Sequence, residues 1–203
     1  SADPNNRVLL IEAGGNDSNI LFKIPAGFAK MTKGIASWGW STVPQKHMQD
    51  RVFWYTQAKV IGGGSTINAQ IYTRGCAFDY DNWAQSGATG WSYRDCLPYF
   101  RKCEDNDTFD NEIHGKGGPI GVSKPVAALP ITEAFIEAAV ECGIPHNPDL
   151  AGPDHAGVGY YQLTQRNSAR SSAASAYLKP VMTRKNLSVV MAEIVTRVIV
   201  EGH

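Results

Sequence analysis

Three consecutive glycines, Gly62, Gly63 and Gly64, set the tightest limit on how the backbone of this chain can run. Because glycine lacks a Cβ, such a run lets the backbone turn sharply, approach a ligand closely and expose neighbouring amides. Exposed amides bind phosphate groups, and the hydroxyls of Ser65 and Thr66 would add donors. The run is neither a P-loop, since no lysine precedes Ser65, nor a GxGxxG fingerprint. These residues predict either a tight structural turn or a ligand-binding loop.

A short apolar segment, residues 7–12, lies between turn-forming residues and predicts a buried parallel strand. The strand ends on Glu12, and a loop through Gly14 and Gly15 follows. In dinucleotide-binding folds, an acidic residue at the end of the second strand bonds the ribose hydroxyls, roughly 20 residues after the glycine fingerprint. A fingerprint at that spacing would precede Ser1. Glu12 is therefore either a ribose ligand or a solvated strand end.

The remainder of the chain mixes helix and strand patterns. Ser92–Glu104 reads as a helix that Ser92 would cap, with Asp95 at the capping-box position. Ile131–Cys142 is amphipathic, and Thr132 would cap it. Further helices are predicted at 78–84 and 171–182, and strands at 120–122, 159–165, 187–191 and 194–201. This mixture indicates an α/β or α+β fold.

The composition argues against several classes of partner. Nineteen basic and nineteen acidic residues give a net charge of zero, whereas nucleic-acid binders usually carry a basic excess. No apolar run reaches the roughly 18 residues that a membrane-spanning helix requires. The four cysteines form no CxxC pair or metal-ligand cluster, which predicts free thiols in a reducing compartment. We therefore expect no nucleic acid, no metal and no transmembrane segment, and a cytoplasmic or membrane-peripheral location.

The segment from Ala58 to Asp81 resembles the first signature sequence of the glucose–methanol–choline oxidoreductases. Its matching residues are Ala58, Lys59, Val60, Ile61, Gly62, Gly63, Gly64, Ser65, Thr66, Ile67, Asn68, Tyr72, Gly75 and Asp81. Further similar stretches are 8–15, 82–83, 90–93, 97–100, 114–120, 170–178 and 184–187. The resemblance covers essentially the whole chain and is greatest to choline dehydrogenase and related bacterial alcohol dehydrogenases.

The resemblance implies an α/β fold, α+β overall, in which a Rossmann-like FAD-binding domain carries an inserted α+β substrate-binding domain. Residues 1–72 and 183–203 would belong to the FAD-binding domain, and residues 73–182 mostly to the substrate or cap domain. The first strand of the family fold would precede Ser1, and its second signature would follow His203. We therefore expect the chain to lack the N-terminal and C-terminal parts of the enzyme.

The resemblance also implies FAD as the cofactor. It assigns Glu12 to the adenosine ribose and the backbone of Val195 to the adenine, and it places Trp38 where a cofactor-proximal aromatic residue lies. The residues implied to wrap the pyrophosphate or line the isoalloxazine are Val60, Gly62, Gly63, Gly64, Asn68, Ala69, Gln70 and Ile71. Some members attach FAD covalently through a histidine just before the signature asparagine. Here that position is Ile67, which has no nucleophile, so we expect non-covalent FAD.

For the complete enzyme, the resemblance implies oxidation of a small alcohol by hydride transfer to the flavin, with oxygen or another electron acceptor as the partner. The catalytic pair would lie beyond His203, and none of the five histidines matches it, so this chain is expected to supply no catalytic residue. By itself it is expected to be inactive and to bind FAD weakly or not at all. Two alternatives stay open, namely a family lyase that keeps FAD structurally and a non-catalytic truncated or split chain.

Overall fold

The computed structural model describes residues 1–31 and 34–200. The strands are β1 (Val8–Glu12), β2 (Trp40–Ser41), β3 (Trp54–Tyr55), β4 (Ile71–Tyr72), β5 (Glu104–Asn106), β6 (Ile120–Val122), β7 (Gln162–Leu163), β8 (Gln165–Arg166), β9 (Ala169–Arg170) and β10 (Leu187–Met191). The α-helices are α1 (Phe28–Met31), α2 (Gly64–Ile67), α3 (Ala77–Gln85), α4 (Tyr93–Cys103) and α5 (Pro130–Glu141). A π-helix spans Ala174–Leu178, and 3-10 turns span Ile20–Phe22, Pro25–Gly27, Lys46–Met48 and Lys179–Val181.

The chain divides into two compact units. The first unit contains the described residues of Ser1–Ala69 and Ser172–His203, and the second unit is Gln70–Ser171. The boundaries thus fall after residues 69 and 171, whereas the sequence predicted them after residues 72 and 182. The functional role that the sequence assigned to each part stays a prediction.

The first unit contains a two-stranded parallel sheet. Strand β1 pairs with β10 so that Val8 lies opposite Leu187 and Glu12 opposite Met191. The predicted parallel strand is therefore confirmed. The prediction that it is buried is wrong, because side chains alternate across a strand and Leu9 is 58% exposed on one face.

Both ends of the glycine segment, residues 60–67, are anchored in the core of the first unit. Phe22, Met31, Val60 and Ile67 form one cluster of buried side chains. Val60 precedes the three glycines and Ile67 follows them, and both are less than one-tenth exposed. Burying an aliphatic side chain contributes about 1.5–3 kcal/mol, so the ends of the glycine segment are anchored while its middle can stay open.

Two helices of the second unit, α4 and α5, begin in different ways. Ser92 caps α4 as predicted: its Oγ accepts the Asp95 amide at 3.3 Å and donates to the Asp95 carboxylate at 2.6 Å. The predicted cap of α5 at Thr132 is wrong, because the helix begins at Pro130 and Leu129 is its N-cap. Proline suits the first helical position, where its missing amide would have no partner within the helix.

Three predicted elements differ from the structure. The strand expected at 159–165 appears as two short strands, β7 and β8, and the helix expected at 171–182 is a π-helix followed by a 3-10 turn. Residues 194–200 form no strand, and residue 201 lies outside the described residues. Ala192 explains this difference, since its φ of 63° turns the backbone away from the extended path of β10.

Candidate functional site

The three glycines form a turn that a side chain would obstruct at one position only. Gly62 and Gly63 have φ angles of 86° and 58°, and the Gly63 amide donates to the Val60 carbonyl at 2.9 Å. A Cβ added at Gly62 would lie 2.5 Å from Thr66 Oγ1 and 2.9 Å from the Ala174 Cβ. A Cβ added at Gly63 would meet no atom of the described residues within 4 Å. The turn is therefore packed behind Gly62 and open in front of Gly63.

The loop after β1 brings Glu12 to this turn. Gly14 packs so closely on the glycine segment that an added Cβ would lie 2.0 Å from the Lys59 carbonyl oxygen. The Ile61 amide donates to the Gly15 carbonyl at 2.9 Å, which joins the two segments further. The Glu12 carboxylate accepts the Gly14 amide at 2.7 Å. A carboxylate is thus fixed beside the glycine turn.

A cavity of about 500 Å³, here termed the glycine cleft, lies in the first unit. Its lining residues are Ser1, Leu10, Ile11, Glu12, Ile61, Gly62, Gly63, Ala173, Ala174, Tyr177, Leu178, Val181 and Leu187. Three of the predicted cofactor residues, Glu12, Gly62 and Gly63, therefore line one cavity. Sequence reasoning missed the wall that residues 173–181 contribute, although the family-like stretch at 170–178 was the signal that could have found it.

The hydroxyls beside the glycines do not serve as the sequence predicted. Ser65 Oγ donates to the Gly62 carbonyl at 2.6 Å and accepts the Ala173 amide at 2.8 Å. Thr66 is 1% exposed, and its Oγ1 donates to the Ile61 carbonyl at 2.8 Å. The expectation that both hydroxyls add donors for a ligand is wrong, because the turn itself uses their hydrogens. The donors that this segment can offer a ligand are therefore backbone amides other than that of Gly63, which donates to the Val60 carbonyl.

A second cavity of about 430 Å³ in the same unit, here termed the Ile67 cleft, holds other predicted residues. Three predicted cofactor residues line it, namely Gly64, Asn68 and Ala69. The other lining residues are Phe28, Thr56, Gln57, Ala58 and Ile67. The Ile67 side chain is 6% exposed and also belongs to the core cluster. Ile67, at the position where some family members carry a histidine for covalent attachment, therefore presents only an alkyl surface to this cavity.

The remaining predicted cofactor residues lie in several places. Val60 is 1% exposed as a whole residue, so it presents almost no surface to a ligand. Trp38 stacks on Trp40 with 5.2 Å between the ring centres. The ammonium of Lys59, which directly precedes the glycine segment, lies 4.8 Å from the Trp38 ring centre. Val195 is 57% exposed, and its segment approaches the cleft through the Glu193 amide, which donates to the Glu12 carbonyl at 3.2 Å.

Two predicted cofactor residues, Gln70 and Ile71, belong to the second unit. Gln70 is 2% exposed, and its Oε1 accepts from Gln165 Nε2 at 3.2 Å. Ile71 lies in β4 opposite Leu163 and is 52% exposed. Contact of these residues with a cofactor stays a prediction.

The second unit contains a buried charged network that the sequence did not indicate. The Arg74 guanidinium forms an ion pair with Glu104, and Glu104 Oε1 also lies 2.8 Å from His114 Nδ1. The other ring nitrogen of His114 lies 2.9 Å from Asp149 Oδ2. Asn106 Nδ2 donates to Glu104 at 2.7 Å. The side chains of Glu104 and His114 have no exposed surface, so a substrate cannot reach them.

The network shifts the titration of its members. Burial alone would raise the pKa of Glu104, but hydrogen bonds from His114, Asn106 and the Gly115 amide, together with Arg74, hold it below its ordinary value. Burial alone would lower the pKa of His114, but its bonds to the two carboxylates hold it above its ordinary value. The network thus favours the charged form of both groups.

Within residues 1–31 and 34–200, no set of three or more His, Cys, Asp or Glu side chains could hold a metal ion. The same residues include no helix of sufficient length and apolar character to cross a membrane.

The sequence model of the GMC oxidoreductases, the glucose–methanol–choline family, matches residues 9–203. The chain belongs to this family. It is 37% identical over 205 residues to the alcohol dehydrogenase [acceptor] of Pseudomonas putida, covering 100% of this chain and 37% of that protein. It is 39% identical over 208 residues to the mitochondrial choline dehydrogenase of Mus musculus, covering 98% of this chain and 35% of that protein. The chain therefore spans little more than a third of the length of these relatives.

Solved structures agree with this assignment. The chain superimposes on the pyridoxine 4-oxidase from Mesorbium loti with a TM-score of 0.93 and 34% identity, over 99% of this chain and 40% of the oxidase. An FAD-dependent oxidoreductase from Chaetomium thermophilum gives a TM-score of 0.86 and 33% identity, over 93% of this chain and 34% of that chain. The predicted α/β fold, α+β overall, is therefore confirmed.

Proposed function

We propose that this protein is an FAD-dependent alcohol oxidoreductase, and that its glycine cleft holds the adenosine and pyrophosphate parts of FAD. The observation that carries the proposal is the meeting of the Glu12 carboxylate and the open backbone at Gly63 in one cavity. A carboxylate suits the two hydroxyls of a ribose, and a glycine backbone without a Cβ lets a pyrophosphate approach closely. The relatives named for alcohol and choline oxidation support the reaction class.

The cleft has the size and lining that such a ligand requires. Its volume of about 500 Å³ lies within the range of roughly 300–1,000 Å³ for ligand pockets. The Gly14 amide occupies one lone pair of the Glu12 carboxylate, which has about four lone-pair sites, so Glu12 can still accept from ribose hydroxyls. Tyr177 and Leu178 add an apolar wall suited to the adenine ring.

The residues of this chain would hold and orient the cofactor. Acceptance of a hydride from the alcohol carbon is the chemistry that bound FAD would supply. Glu12 would fix the ribose, and the absence of side chains at Gly62 and Gly63 would let the pyrophosphate approach the backbone of the glycine turn closely. Ile67 presents an alkyl group in the Ile67 cleft, so we propose that FAD is held without a covalent bond.

We assign cofactor binding to the first unit and substrate contacts mostly to the second unit, with a small alcohol as substrate and oxygen or another acceptor for the electrons. The first unit contains Glu12 and the whole glycine segment, which supports this division. A cytoplasmic location is supported by the four cysteines, all of which are free thiols, since disulfides are rare in reducing compartments.

The test uses the protein expressed from its complete coding sequence. We expect it to purify with FAD that denaturation releases, and to lose the oxidised flavin spectrum when an alcohol such as choline is added without oxygen. Glu12→Gln should weaken FAD binding about tenfold, since it removes a charge-assisted bond. The exposed Glu141 in the second unit provides the matched control, Glu141→Gln, which should bind FAD as the wild type does.

Each result separates one part of the proposal from the others. Absence of flavin, or equal FAD affinity in the wild type and Glu12→Gln, would refute the assignment of the glycine cleft. Flavin that stays on the denatured protein would refute non-covalent binding. Bound FAD that no alcohol reduces would instead favour a family lyase, which uses the cofactor structurally.

A further inference from the structure

The Ser65 hydroxyl joins two parts of the glycine cleft that are far apart in the sequence. Its Oγ donates to the Gly62 carbonyl at 2.6 Å, inside the glycine turn. The same oxygen accepts the amide of Ala173, which lies 108 residues further along the chain, at 2.8 Å. One side chain therefore connects the turn to the first residue of the cleft wall.

The wall begins at this contact, and hydrogen bonds of Ser172 hold its first turn. Ser172 is 3% exposed, its Oγ accepts the Ser175 amide at 3.1 Å, and its carbonyl accepts the Ala176 amide at 2.8 Å. These bonds fix the start of the π-helix, which presents Tyr177 to the cleft. Such π-helical turns are rare and frequently lie at functional sites.

The turn and the wall are also in van der Waals contact. A Cβ on Gly62 would lie 2.9 Å from the Ala174 Cβ and 3.1 Å from the Ala174 amide nitrogen, so these backbones are packed without a gap. Ser65 supplies the polar link beside this apolar contact. If the link is lost, the Ala173 amide loses its acceptor, and the wall can move relative to the glycine turn.

We propose that Ser65 is a positioning residue: it sets the spacing between the glycine turn and the 173–181 wall, and thereby the affinity of the cleft for FAD. The inference rests on the proposed function, since it assigns the cleft to FAD. It differs from a direct contact, because the Ser65 hydrogen is donated to the Gly62 carbonyl and the effect on the cofactor is transmitted through the backbone.

The test compares three variants of the protein expressed from its complete coding sequence. Ser65→Ala should weaken FAD binding about tenfold, as judged from flavin fluorescence, since the part-buried Ala173 amide loses its acceptor. Ser65→Thr keeps the hydroxyl and should restore affinity to within about threefold. Ser92→Ala is the control, because Ser92 also makes two bonds with its hydroxyl but lies in the second unit. It should bind FAD like the wild type.

Hydrogen exchange at the Ala173 amide in the protein freed of flavin gives an independent measure. Exchange about tenfold faster in Ser65→Ala than in the wild type would support the link without any use of FAD. Equal FAD affinity of Ser65→Ala and the wild type, or an equal loss in Ser92→Ala, would overturn the positioning role. If the wild type binds no FAD, the proposed function fails, and unchanged exchange at Ala173 would show that the link fails as well.

Discussion

Replacement of His114 should reveal a pH-dependent contribution to stability. Its two ring nitrogens lie 2.8 Å from Glu104 Oε1 and 2.9 Å from Asp149 Oδ2. Only the imidazolium form carries a proton on both nitrogens, so only that form donates to both carboxylates. The variant His114→Ala removes both donors and leaves the two carboxylates in place.

The size of the effect follows from what the carboxylates retain. Glu104 keeps the Arg74 guanidinium and the Gly115 amide, which donates at 3.0 Å. Asp149 is 18% exposed and can turn partly to water. Removing one partner of a buried ion pair costs about 3–5 kcal/mol, and these two compensations place the loss at the lower end, about 3 kcal/mol.

The sign of the pH dependence is set by the raised pKa of His114, which its bonds to Glu104 and Asp149 cause against the effect of burial. The stabilisation is complete below the ordinary imidazole pKa of 6.5 and is lost as the pH rises through the folded-state value. Urea unfolding followed by tryptophan fluorescence should therefore show a smaller difference between wild type and His114→Ala at about pH 9 than at about pH 6. The exposed His47 supplies the control, His47→Ala, with an expected change within about 0.5 kcal/mol at either pH. A difference that is equal at both pH values would refute the reasoning.

Two further changes test the glycine turn and Tyr72, whose hydroxyl accepts from Arg74 Nε at 3.2 Å. Gly62→Ala should lower the free energy of unfolding by about 2–4 kcal/mol, because its Cβ would lie 2.5 Å from Thr66 Oγ1 and the backbone φ is 86°. Gly64→Ala is the control and should change stability little, since its Cβ would meet no atom in the described part of the chain within 4 Å. Equal urea midpoints for the two variants would contradict this expectation. Burial raises the pKa of Tyr72 to about 12, so Tyr72 should stay protonated at about pH 11. Wild type and Tyr72→Phe should therefore develop the same phenolate absorbance at that pH. A larger absorbance in the wild type would contradict the raised pKa.

Local patterns in the sequence predicted the elements that depend on near neighbours. The cap of α4 requires Ser92 and Asp95, three residues apart, and both were identified. The strand β1 and its final Glu12 were identified from one apolar run. The glycine segment was identified from its composition, and its mixed residue types were sufficient to indicate the family that the comparisons then showed.

The tertiary structure decided which partners bind the polar groups of the glycine segment. Ser65 was expected to face a ligand, but its Oγ binds Ala173, a residue 108 positions away. The sequence predicted a strand on either side of Ala192, yet among the described residues only the first forms, and the Ala192 amide donates to the Gly14 carbonyl at 2.9 Å. In both cases the partner comes from a distant segment, which no pattern of neighbouring residues contains.

By itself, the sequence determined the fold class, the family and the place of the glycine turn, because propensity, capping and backbone freedom are properties of a few adjacent residues. The tertiary structure alone decided that Glu12 and Gly63 line one cavity, and that Arg74, Glu104 and His114 form a buried network. The physical reason is that a buried charge is tolerated only where its partners converge. Such convergence is set by the packing of segments that lie tens of residues apart.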